Sequence, residues 1–195
     1  MANGTALKDQ VREGRLFTYA DYKNWDPAEI GRYELIYGVA YAMAGPNARH
    51  QSMLMELAKQ IAVYLTGKSC KVYPAPYDVR LFYDENEEDD TVVQPDISVI
   101  CDQKKRGPEG CRGAPDFVAE ILSPSNTASE MERKFKLYRQ AGVREYWVLD
   151  PESGILHTHR FEDSQILSRF YGPNENAPIE TLEGLEIALG PVFAE

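Results

Sequence analysis

Positive charge is in short supply in this chain. Its 21 lysines and arginines face 31 acidic residues, leaving a formal net charge of −10 at pH 7. That balance excludes a polybasic nucleic-acid coat, which works by neutralising phosphates with surplus Lys and Arg. Long apolar runs are also missing. None nears the roughly 18 residues that a membrane span needs, and the opening MANGTALKDQVREGRLFTYADYKNWDPAEI has no apolar core of a secretory signal. A cytosolic chain with no membrane partner is expected. Cysteine is sparse and odd in number: Cys70, Cys101 and Cys111 form no CxxC, which speaks against a disulfide framework or structural zinc and leaves buried or neutral thiols as the expectation. Phosphate-cradling glycine loops are absent too, since neither GxGxxG nor GxxxxGK occurs, and the same holds for GxSxG and HExxH. Nucleotide binding and zinc hydrolysis lose their usual signatures.

What remains is 195 residues, 43% of them apolar, without an internal repeat, which suits one domain over residues 1–195 with its core at about 17–171. The stretch Arg32 to Ala44 (RYELIYGVAYAMA) reads as two short strands around a turn at Gly38. Asn47 to Leu65 then places Met53, Leu54, Leu57, Ile61 and Leu65 at helical steps. Cys70 to Tyr83 and Val92 to Cys101 read as strands flanking Asp84 to Asp90 (DENEEDD), a solvated hairpin loop in which Asp89 stands where an EF-hand loop needs glycine. Pro115 to Leu122 is a buried central strand, Thr127 to Ala141 a second helix ended by Gly142, and Arg144 to Leu149 another buried strand. Ile155 to Phe161 and Gln165 to Tyr171 form a hairpin, and the tail is weakly determined. This order predicts an α/β (α+β) fold, a mixed central sheet flanked by helices with an added C-terminal hairpin.

Three acids interrupt apolar strands. Glu120 is the sole charge in FVAEIL and alternates onto the face of Val118 and Leu122; Asp96 opens DISVI; Glu34 lies in YELIYG. A buried carboxylate must protonate, pair with a cation or ligate a metal. Taken singly, each suits a strand-end or cross-strand ion pair; taken together, they also suit a divalent-cation site. Winding the second helix at about 100° per residue makes Met131, Phe135, Tyr138 and Gly142 its buried stripe, with Lys134 at the edge. Lys134 would then serve the acids as their counter-ion, or snorkel past them. Arg133, Lys136 and Arg139 point away, to phosphates or to solvent. His157 and His159 form an HxH pair that reads as two surface histidines.

These pieces, PDISV, VAEILSPSN, KxxxY with AGVREYWVLDP, YELIYG and RHQ, together resemble the Uma-type endonucleases, a bacterial branch of the restriction-endonuclease-like PD-(D/E)XK superfamily, over about Phe17 to Phe170. The resemblance implies that Asp96 and Glu120 ligate Mg²⁺ or Mn²⁺, that Glu34 is the acid contributed ahead of the core hairpin, and that a lysine positions or activates the attacking water. An E-x-K pattern would put that lysine at 122, where Leu122 stands, and the matching residue is Lys134 on the following helix. His50 matches a recurrent family histidine that would bind phosphate or substrate, and Glu130 stands where the family commonly has aspartate. The implied function is metal-dependent cleavage of DNA phosphodiesters. The competing reading is a nuclease-fold protein without turnover that binds or scaffolds, which the net charge of −10 favours and the retention of Glu34, Asp96, Glu120 and Lys134 opposes. A homodimer is expected from apolar surface at Glu145, Tyr146 and Trp147 and at Phe161, Phe170 and Tyr171.

Overall fold

A computed structural model describes residues 9, 11, 13–163 and 165–194. Two short helices, α1 (Tyr19–Tyr22) and α2 (Pro27–Ile30), lead into the hairpin β1 (Tyr33–Ile36) and β2 (Val39–Ala42). Its two-residue turn puts both Tyr37 and Gly38 at positive φ, the backbone twist that a tight hairpin requires. Helix α3 (Ala48–Tyr64) starts where the Asn47 side chain accepts from the His50 amide, and it buries Met53, Leu54, Leu57 and Ile61 as their spacing predicts. Then come β3 (Lys71–Pro74), β4 (Val79–Arg80), β5 (Val92–Val93), β6 (Ile97–Ile100), β7 (Arg106–Gly107), β8 (Gly110–Arg112) and β9 (Phe117–Ile121). Helix α4 (Ala128–Ala141) is capped by Thr127 and ends at Gly142, whose φ of 90° suits a residue without Cβ. Strands β10 (Glu145–Asp150), β11 (Ile155–Phe161), β12 (Ile166–Tyr171), β13 (Asn176–Pro178) and β14 (Glu186–Ala188) and helix α5 (Leu189–Phe193) complete the chain.

The α/β class holds, but the strands divide into two six-stranded mixed sheets and a two-stranded ribbon. One sheet runs β12-β11-β10-β9-β6-β3, the other β2-β1-β5-β4-β8-β7. In the first, β9 lies parallel to β10 and antiparallel to β6, with α4 as the crossover between β9 and β10. Every residue of β9 is buried, as a strand covered on both faces must be. One core packs α3 against Phe117, Ala119 and Trp147; a second packs α4 against Val118, Tyr146 and Val148. The tail belongs to the first of these. Ala177, Ile179, Leu182, Ile187, Leu189 and Val192 are all buried in it, so the core extends beyond the 171 expected from sequence.

Four expectations need correction. Cys70 and Cys101 are joined in a disulfide, because they directly extend the β3/β6 ladder beyond the Lys71–Ile100 pair; Cys111 is the free thiol, and burial pushes it up to about 12. The acidic segment is not wholly solvated: Asp89 is buried and takes both Nε and Nη2 of buried Arg80, while its carbonyl accepts from the Tyr19 amide. A fourth buried strand acid, Glu145, accepts from Trp147 Nε1 and the Thr181 amide, each at 2.8 Å. Glu145, Tyr146 and Trp147 are therefore sealed inside the protomer and offer no face to a second copy; the exposed apolar residues of that region are Leu167 and Phe170 on the edge strand β12. The two histidines of the HxH pair are half-buried rather than free on the surface, His159 bonded to Ser168 and His157 set against Phe170. No helix among the described residues is long and apolar enough to cross a membrane.

Candidate active site

The β6/β9 register pairs Ile97 with Ala119, and one step further sets Asp96 against Glu120. Asp96 is held there by two donors on one oxygen: the Ile121 amide at 2.7 Å and His50 Nε2 at 3.1 Å, both to Oδ2. Glu120 Oε1 accepts from Lys134 Nζ at 2.9 Å and from the Tyr138 hydroxyl at 2.6 Å. Glu34 comes from the second sheet, where β1 brings its carboxylate 3.3 Å from Lys134 Nζ, and the Gln94 amide donates to it at 3.0 Å. Glu34, Glu120 and Lys134 are each less than a tenth exposed. All four line a cleft of about 480 Å³ with His50, Arg32, Tyr41, Glu130 and Arg133.

Lys134 is thus centred on the buried side of α4 rather than at its edge. Leu137, which the stripe of Met131, Phe135 and Tyr138 left out, is 1% exposed, and adding it rotates the buried face toward Lys134. Two glutamates share one ammonium beside Asp96, and this explains why Glu120 and Lys134 both titrate upward. Burial pushes Glu120 up to about 7, and Asp96 and Glu34 push the same way against the pull of Lys134. Burial disfavours the Lys134 ammonium, but Glu120 and Glu34 outweigh it and hold its pKa well above the ordinary lysine value. The hydrogen bond to Asp96 raises His50 despite burial.

The donor set suits a hard divalent cation. Asp96 Oδ1 and Glu120 Oε2 accept no hydrogen bond among the described residues, so each carboxylate keeps one oxygen uncommitted. One or two carboxylates with waters is how Mg²⁺ is usually held. A cage of three or more His, Cys, Asp or Glu side chains is absent among the described residues, so protein ligands alone would not enclose the ion.

His50 lines the same cleft, with its Nε2 on Asp96 Oδ2 and its Nδ1 buried without a partner. Glu130 accepts from Asn126 Nδ2 at 3.1 Å, and its amide donates to the Thr127 hydroxyl oxygen at 3.2 Å, which ties the 123–127 turn to α4. Three residues hold places at the site that the sequence reading does not assign them. Tyr138 lies in the apolar stripe of the periodicity, yet its KxxxY spacing from Lys134 puts both on one face. Gln94 joins Glu34 through its amide, Arg32 through its side-chain oxygen and Asp78 through its side-chain nitrogen, with no local signal. Arg133, expected to point away, lies over the Tyr41 ring with its Cζ 4.0 Å from the centroid.

Residues 19–190 match the Uma2 family model, described as "Putative restriction endonuclease". Two uncharacterized proteins of Synechocystis sp. (strain ATCC 27184 / PCC 6803 / Kazusa) are similar: one is 24% identical over 176 residues, 89% of each chain, and the other 26% identical over 175 residues, 87% of this chain and 95% of the relative. Among solved structures, a protein of Anabaena variabilis described as "a putative nuclease belonging to DUF820" shares the fold. Its TM-score is 0.70 at 19% identity, over 91% of this chain and 97% of that one. With a family match over residues 19–190, on a fold of this kind, the chain belongs to the Uma2 family of restriction-endonuclease-like proteins.

Proposed function

We propose that the protein is a Mg²⁺- or Mn²⁺-dependent endonuclease that hydrolyses DNA phosphodiesters in the cytosol. The observation that carries this reading is the meeting of Glu120 and Glu34 on Lys134 in one cleft with Asp96, with one oxygen of Asp96 and one of Glu120 uncommitted. Asp96 and Glu120 would hold the cation, which when bound lowers the pKa of a water and offsets charge developing on the phosphate. His50 and the Ile121 amide orient Asp96. Tyr138 fixes Glu120, and Glu34 keeps Lys134 at the mouth of the pair. Lys134 adds a preorganised positive charge where the phosphate gains negative charge. A binding protein without turnover is the reading that −10 net charge would favour. Supercoiled plasmid separates the two: the protein should nick or linearise it with Mg²⁺ or Mn²⁺ and stop when EDTA is added. Plasmid left intact at every metal concentration would leave only the binding role.

A homodimer forms part of the proposal, resting on exposed Leu167 and Phe170 of the edge strand β12. Light scattering at micromolar concentration should return twice the 22.1 kDa of one chain. A monomer mass would remove this part.

A further inference from the structure

The cleft poses an electrostatic problem for a phosphate ligand. Its floor carries Glu34, Asp96 and Glu120, and its buried cation is already engaged, because Lys134 donates to two of those acids. Arg32 is engaged as well, through Nε and Nη2 to Gln94. Arg133 differs. Among the described residues it makes no ion pair and no hydrogen bond, and its Nε is buried without an acceptor. It is not loose, however: its guanidinium carbon lies over the ring of Tyr41, the residue paired with Glu34 across the β1/β2 hairpin. A guanidinium held over a ring and unpaired keeps its two terminal nitrogens for an anion, and their N–H groups match two phosphate oxygens.

We infer that Arg133, propped on Tyr41, holds a backbone phosphate of the DNA strand in the cleft beside the scissile position. This rests on the nuclease reading and adds to it the residue that draws the strand in past the acids. Arg133 is a binding residue here, distinct from Lys134, whose ammonium faces the carboxylates one position along the same helix. Contact with a phosphate has a specific mark, since each neutralised phosphate contributes about one unit to the slope of log binding constant against log salt.

The test is fluorescence anisotropy of a labelled duplex, with Ca²⁺ in place of Mg²⁺, over a series of salt concentrations. Arg133→Ala and Arg133→Gln should each bind about tenfold more weakly at low salt and show a slope smaller by about one unit. Arg133→Lys should keep the slope and lose part of the affinity, because a point charge replaces a fork. Mn²⁺ uptake and the denaturation midpoint should stay close to wild type in all three, which separates a contact with DNA from damage to the site. Slopes unchanged in Arg133→Ala and Arg133→Gln, on a wild type that binds and cleaves, would overturn the contact and leave the nuclease reading standing. A wild type that neither binds the duplex nor cleaves plasmid would overturn both.

Discussion

Lys134→Met is expected to cost about 3 to 5 kcal/mol of stability and, in the fraction that stays folded, to slow cleavage by about 10² to 10³. The first effect follows from burial: with the ammonium gone, Glu34 and Glu120 face each other in the cleft with no counter-ion, and removing one partner of a buried pair leaves the other uncompensated. Methionine keeps much of the stem's packing, so the loss reports charge. Glu120→Gln added to Lys134→Met should recover part of the denaturation midpoint, because it removes one stranded carboxylate, without recovering the rate. The double variant therefore distinguishes a lysine that only balances charge from one that also acts in the reaction. A Lys134→Met protein that is stable and cleaves at the wild-type rate would rule out the catalytic assignment.

Asp96→Ala should abolish Mn²⁺ uptake in titration calorimetry and lower plasmid cleavage by on the order of 10³ or more. A divalent cation supplies several kcal/mol of charge stabilisation to the transition state, and each 1.4 kcal/mol or so is a factor of ten. Asp96 also anchors the Ile121 amide and His50, so alanine disturbs structure as well as charge. Asp96→Asn is the companion variant, since it retains an oxygen for the Ile121 amide while removing the negative charge; it too should fail to take up Mn²⁺. Undiminished uptake in both would place the metal elsewhere.

Much of this was legible along the chain because it depended on local periodicity. Helices α3 and α4, the stop at Gly142 and the burial of Glu120 follow from spacing and from one charge amid apolar neighbours. The second sheet was not legible as a sheet. Strands β4, β5 and β7 are two residues long, too short to show alternation, and their partners are fixed only by tertiary contact. Asp89 is hidden in a run of like residues for the same reason, since what distinguishes it from Glu85 and Glu88 is that Arg80 lies opposite. Glu145 fell in the surface expected to meet a second copy, and the groups that satisfy it include an amide from the tail, whose path the sequence left open. The site was half legible. Spacing alone turned Lys134 toward the core, but Gln94 and Arg133 acquire their places from the meeting of two sheets and a helix.

Lys134 reaches Glu120 across fourteen residues of chain, although the two atoms are 2.9 Å apart. A lysine two positions along the same strand would be held in place by the backbone ladder itself. Here the ammonium is suspended from a helix, and the helix is seated by Leu137 and Tyr138 in the oily seam they form with Val118, Tyr146 and Val148. A search written as a string of letters looks for the base beside the acid and finds a leucine. The fold keeps these two charges together by side-chain fit, so on the proposed nuclease reading the pairing is a property of the seam and has no address on the strand.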